Sequence, residues 1–150
     1  MSWYVIQTLM GTIGSIGFAI LFGVDVRDRK LAAIGAGGAL GWIVYLISTA
    51  GAGTDMYTGL LFSSLAVSLL AEYLARKLRT PVILLLVPML IPLIPGGDLY
   101  NMMALFLRKE YEAFGLASRH VLFEAGAIAV GIIVGAYAAR AAVKMMPAGR

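Results

Sequence analysis

Cysteine is absent from this chain, and histidine occurs once, at His120. Without cysteine there is no disulfide framework, no thiolate metal site and no thiol chemistry. A single histidine cannot build a histidine-rich metal centre, so no metal or other cofactor is expected. Charge is scarce as well: Asp, Glu, Lys and Arg make up 13% of the 150 residues, about half of the usual share. The longest polar stretch, residues 108–119, is interrupted by Tyr111, Phe114 and Leu116 and leaves no room for a soluble domain. No basic run is interleaved with aromatics, so the net charge of +4 is no nucleic-acid signature.

Apolar residues fill the chain instead, at 61% hydrophobic and a mean hydropathy of +0.89. Several runs approach the roughly 20 residues needed to cross about 30 Å of hydrocarbon. The expected fold class is an all-α integral membrane protein, one transmembrane domain over 1–150 with the lipid bilayer as solvent. About five transmembrane helices are expected, near residues 4–24, 31–50, 56–74, 82–107 and 121–139, with the fourth broken near 95–98. The first run lacks a basic leader and a small-residue cleavage pattern and is too long for a signal core, so it is expected to stay in the mature protein.

Lys and Arg mark cytoplasmic loops in such a protein. Arg27, Arg29 and Lys30 share one side with Arg76, Lys77 and Arg79, which places the N-terminus outside. If the fourth segment crosses, Arg140, Lys144 and Arg150 join them, giving nine cations inside against Arg108, Lys109 and Arg119 outside. If that segment only dips and returns, the last two groups exchange places and the count is again nine against three. Charge therefore does not choose between the two topologies. Length favours five spans with the C-terminus cytoplasmic.

Glycines mark expected packing faces: Gly11, Gly14 and Gly17 on the first helix, Gly37 and Gly41 on the second, Gly131 and Gly135 on the fifth. Small residues let helix backbones approach where lipid offers no hydrophobic drive. Thr12, Ser15, Ser48, Thr49 and Ser63 read as helix–helix hydrogen bonds.

The stretch from Pro88 through Pro92, Pro95, Gly96 and Gly97 to Asp98 cannot continue as clean helix, because each proline removes a donor and clashes with the preceding turn. Freed backbone groups survive at membrane depth only under cover of protein or a wet cavity. Pro95, Gly96, Gly97, Asp98, Tyr100 and Asn101 are therefore the candidate substrate-binding residues. The diglycine exposes amides, and a helix beginning near Asp98 would aim its positive end at the same place. Asp98 has an equal alternative as the N-cap of that helix, with Thr80 and Pro81 opening the fourth segment as N-cap and first helical residue.

Ser64, Ser68 and Glu72 recur every fourth residue and stack on one helix face, either as a polar path or with Glu72 paired to Arg76. Glu124 sits one turn inside the fifth segment, as a coupling group or an interfacial partner of Arg119 or His120. Enzyme constellations are missing: there is no His-Glu-x-x-His, Gly14-Ser-Ile-Gly17 lacks the glycine of a nucleophile elbow, and only Asp98 approaches an intramembrane aspartate. The chain does not read as an enzyme.

Three runs carry a resemblance: Gly35-Ala-Gly-Gly-Ala-Leu-Gly-Trp-Ile-Val-Tyr45, Leu70-Ala-Glu-Tyr-Leu-Ala-Arg-Lys-Leu-Arg-Thr-Pro81 and Val87-Pro-Met-Leu-Ile-Pro-Leu-Ile-Pro-Gly-Gly-Asp-Leu-Tyr100. Together they resemble the C-terminal half of the threonine/serine exporter family, which also occurs as the small subunit of two-component exporters, including succinate exporters. The resemblance implies export of small hydroxy amino acids or a dicarboxylate across a bacterial or archaeal inner membrane, driven by an ion or proton gradient. It also implies a complementary membrane subunit as partner. The alternatives are a membrane scaffold that contacts no substrate and a self-sufficient homo-oligomeric channel.

Overall fold

The computed structural model describes residues 2–25 and 27–145, so Arg150 of the cation count lies outside the described residues. The described residues are helical and contain no strand. Helix α1 spans Ser2–Leu21, 20 residues, or about 30 Å at 1.5 Å per residue. Gly23 stops it by taking a φ of +81°, while the Val24 amide turns back to the Ala19 carbonyl. Helix α2 (Arg29–Leu46) starts under Asp28, whose carboxylate accepts the Lys30 amide at 3.0 Å and pairs with its ammonium. The amide bond, above all, holds the Asp28 carboxyl below its ordinary range. A π-helical turn, Ile47–Gly51, extends α2.

Helix α3 (Met56–Lys77) is followed by α4 (Val82–Leu90), a 3-10 turn (Ile91–Leu93), α5 (Gly96–Leu107) and α6 (Tyr111–Met145). Pro81, not Thr80, is the cap residue of α4. The Thr80 amide is committed to the Ala75 carbonyl in closing α3, and Pro81 is extended with ψ 136°. Hydropathy placed the last helix near 121–139, yet α6 begins ten residues earlier, at Tyr111. Its added turns are amphipathic rather than apolar. They pack on α5, with the Phe106 ring 6.5 Å from Tyr111 and 5.3 Å from Phe114.

The order of contacts fixes the direction of each helix. Gly11 meets Trp42 and Gly35 meets Ile16, so α1 and α2 are antiparallel. Gly41 meets Val67 and Gly59 meets Tyr45 and Thr49, which makes α2 and α3 antiparallel too. Between α3 and α6 the numbers rise together: Tyr57 bonds His120, Ser64 lies on Gly131, Ser68 on Gly135, and Arg76 reaches Ala139. These two helices are parallel. The chain between Lys77 and Tyr111 must then return along the whole bundle. Segment α4–α5, bent by 64°, is a broken traverse rather than a dip. Arg76 and Arg140 consequently share one end of the bundle, the basic end; Tyr57 and His120 mark the other.

Gly11, Gly37, Gly41, Gly131 and Gly135 sit at helix contacts as expected, but Gly14 and Gly17 face open space with nothing within 4 Å of a Cβ. The α1 face toward α2 is carried instead by Thr12, Ser15 and Ile16 beside Gly11. The hydroxyls expected between helices mostly stay at home: Thr12 donates to Thr8, Thr49 to Tyr45 and Ser63 to Leu60 carbonyls of their own helices. In hydrocarbon the nearest acceptor is the preceding turn. The seam that tolerates least is α3/α6, where a Cβ on Gly131 would stand 2.6 Å from the Leu61 carbonyl oxygen. Backbone cannot yield as a side chain can, so Gly131→Ala should cost about 1–3 kcal/mol in detergent-solubilised protein. Gly126→Ala, with nothing within 4 Å, is the control; equal thermal midpoints for the two variants would contradict the packing.

Candidate functional site

Prolines set the break. Pro92 and Pro95 offer no amide to the preceding turns, so the helix tightens to 3-10 at Ile91–Leu93 and ends with Ile94 extended. The Gly96 amide turns back to the Ile94 carbonyl at 2.7 Å, and the first bond of α5 runs from the Leu99 amide to the Pro95 carbonyl at 3.0 Å. The intervening amides of Gly97 and Asp98 have no backbone acceptor among the described residues. They form the positive end of a 12-residue helix. Asp98 lies inside the first turn and makes no capping bond, because the helix starts two residues before it.

A cavity of about 170 Å³ lies at this break, room for about six waters. Trp42 and Tyr45 wall it from α2, Met56 and Leu60 from α3, Leu93 and Pro95 from the break, Asp98 from α5 and Glu124 from α6. Glu124 is 1% exposed, and its Oε2 has no hydrogen-bond partner; neither has Trp42 Nε1. Asp98 is exposed and stands at the mouth. The cavity thus gathers two carboxylates, the Trp42 and Tyr45 side chains and the start of α5 around one small space. No lysine or arginine lines it.

Of the sequence candidates, Pro95 and Asp98 line the cavity, and Gly96 and Gly97 form the first turn beside it. Tyr100 and Asn101 are exposed on α5 and take no part in the lining. Glu124, read from sequence apart from the break, is brought to it. Trp42 and Tyr45 escaped sequence reasoning. Their rings pack at 5.3 Å, three residues apart on a glycine-rich helix, and that pairing was the available signal.

Glu72 lies elsewhere, 12 residues along α3 from Leu60 and so about 18 Å away. It is 5% exposed, accepts from Arg76 Nη2 at 3.0 Å and faces Arg140 Nε at 3.7 Å. Ser68 donates to the Ile132 carbonyl across the α3/α6 seam, and Ser64 to Leu61 within its own helix. Of the three, Ser68 and Glu72 make the polar contacts from α3 to α6. At the opposite end the Tyr57 hydroxyl bonds His120 Nδ1, one turn from Glu124. No group of three or more metal-ligating side chains occurs among the described residues.

Residues 7–138 match the family described as Threonine/Serine exporter, ThrE. The chain belongs to the threonine/serine exporter family. No curated protein and no solved structure matches it. Membership fits a multi-pass helical membrane protein and makes the chain an exporter of the threonine/serine type. Within the exporter fold, the two buried carboxylates differ in kind: Glu72 is paired and Glu124 is not. Arg76→Ala would leave Glu72 buried with only the longer contact to Arg140, a loss on the order of 2 kcal/mol in stability. Arg140→Ala removes a side chain that is 76% exposed and should change little. Thermal unfolding followed by circular dichroism tests this order; equal losses would refute it.

Proposed function

We propose that this chain is a membrane subunit of a secondary exporter that carries threonine, serine or a similar small zwitterion out of the cell. A complementary membrane subunit of the same family completes the path. The observation that carries this reading is the meeting of Asp98 and Glu124 at one small cavity beside the first turn of α5, where the amides of Gly97 and Asp98 have no backbone acceptor. A substrate ammonium finds carboxylates there, and a substrate carboxylate finds helix-terminal amides and the Trp42 indole N–H. Tyr45 offers a hydroxyl to a substrate hydroxyl. A dicarboxylate such as succinate would bring two negative charges against two more with no cation on the wall, which argues against that substrate.

Five traverses put the N-terminus and the basic end on opposite sides, and the basic end, with Arg76, Lys77 and Arg140, reads as cytoplasmic. A bacterial or archaeal inner membrane is the proposed location. The partner is supported by the open side of the site: Asp98 is exposed, and a substrate in hydrocarbon needs cover on every side. A site shared between two halves, with the break contributed by this one, is the usual solution in transporters.

Efflux of labelled threonine and labelled succinate from cells carrying the chain and its complementary subunit tests the reading. Asp98→Asn should lower threonine efflux about ten-fold or more, through loss of a charge-assisted contact worth about 1.5–3 kcal/mol. Gly97→Leu should block it by covering the amides. Succinate efflux without threonine efflux would overturn the substrate assignment. Normal threonine efflux in Gly97→Leu would remove the break from the mechanism and favour a scaffold. Full transport by this chain alone in liposomes would replace the two-subunit arrangement with a homo-oligomeric channel.

A further inference from the structure

We propose that Glu124 is the residue that carries a proton in exchange for substrate, and that His120 with Tyr57 is its route to the outer end of the bundle. This rests on the reading of the cavity at the break as the substrate site. Glu124 is buried to 1% with a free Oε2, and an ionised carboxylate so placed needs a cation or several donors. The groups that face it bring no fixed cation. Asp98 of α5 is a second carboxylate, Tyr45 and Trp42 of α2 are neutral, and Met56 and Leu60 of α3 are apolar; α1 and α4 contribute nothing to the wall. Glu124, buried beside a second acid with no cation on the wall, is the group that carries the proton while the site is empty.

A substrate ammonium supplies the missing cation. When it binds between Glu124 and Asp98 the O–H bond on Glu124 breaks, the proton leaves, and both carboxylates stand ionised against the ammonium. When substrate departs, a proton returns to Glu124. Proton and substrate thus occupy the site by turns, one for one. The proton has a short way to go: His120 lies four residues earlier on α6, is exposed, and has Nδ1 engaged by the Tyr57 hydroxyl, which leaves Nε2 to accept and release. The paired Glu72 at the basic end has no such freedom, since Arg76 and Arg140 already occupy its two oxygens.

The test uses the purified chain with its complementary subunit, and measures threonine binding calorimetrically in two buffers of different ionisation enthalpy. The wild type should release about one proton per threonine near neutral pH. Glu124→Gln should bind more weakly and release essentially none, and Glu124→Asp should restore release. In liposomes, the apparent KM of the wild type should rise about ten-fold per unit of acidification where proton and threonine compete, and should be flat in Glu124→Gln. His120→Ala should slow proton-driven flux while leaving the one-to-one release intact. Threonine bound without proton release by the wild type, or full release by Glu124→Gln, overturns the proton assignment and leaves the substrate site standing. Absence of threonine binding by the wild type overturns the site reading itself, and the proton assignment with it.

Discussion

The parallel seam between α3 and α6 is the constraint on which the rest of the molecule depends. Gly131 and Gly135 let α6 lie directly on Ser64 and Ser68, and the Ser68 hydroxyl crosses the seam to the Ile132 carbonyl. Helices that are neighbours in the chain usually pack antiparallel, since short loops allow nothing else. A parallel pair requires the chain between them to travel back through the bundle. That requirement turns a helix with three prolines into a return along the bundle, and so sets freed backbone groups beside α2, α3 and α6. Lipid cannot satisfy them.

Protein then has to supply the cover: α2, α3 and α6 wall one side of the break, and Gly96, Gly97 and Asp98 stay exposed on the other. The break leaves α5 at 64° to α4, leaning on turns of α6 that run past the end of α3. This geometry brings Asp98 to the same cavity as Glu124, although the two residues are 26 apart in the chain. It also explains why α6 is 35 residues long, far beyond the roughly 20 that a bilayer requires. Its first turns serve α5, and its later turns serve α3. Neither the carboxylate pair nor the free amides would meet if α6 stopped at the edge of its apolar stretch.

What could be read from the residues alone follows from this. The break was legible from Pro92 and Pro95, which act locally on their own turns, but not its bounds: α4 runs through Pro88 to Leu90 and helix resumes already at Gly96. The glycine pairs of α2 and α6 were legible as faces, but not the identity of the helix each would meet; Gly14 and Gly17 look the same in sequence and touch nothing. Trp42 and Tyr45 could not be assigned, because an aromatic on a membrane helix serves packing or interface equally well until a third element arrives. The extension of α6 to Tyr111 was missed because hydropathy measures lipid exposure, whereas those turns are held by Phe106. Charge counting failed on the fourth segment because the last two groups of cations are equal in number, so only contacts across α3 and α6 distinguish the topologies.

Two carboxylates, Glu72 and Glu124, are buried among the described residues at levels that would each be costly alone. Their surroundings assign them different tasks. Glu72 lies between Arg76 and Arg140, close enough to the basic end for both guanidinium groups to reach water, and its work is to hold Arg76, whose other nitrogen reaches the Ala139 carbonyl of α6. Glu124 lies where no lysine or arginine reaches, faces another acid and keeps one oxygen unsatisfied. A fold that needed only a helix clip there would be more stable with an apolar residue, since lipid and neighbouring side chains would accept it without a desolvation cost. A buried acid that lacks a partner in the resting chain is understandable if its partner arrives and leaves. On the proposed reading, the substrate ammonium and the proton are those alternating partners, and the unsatisfied oxygen of Glu124 is the physical mark of the place they share.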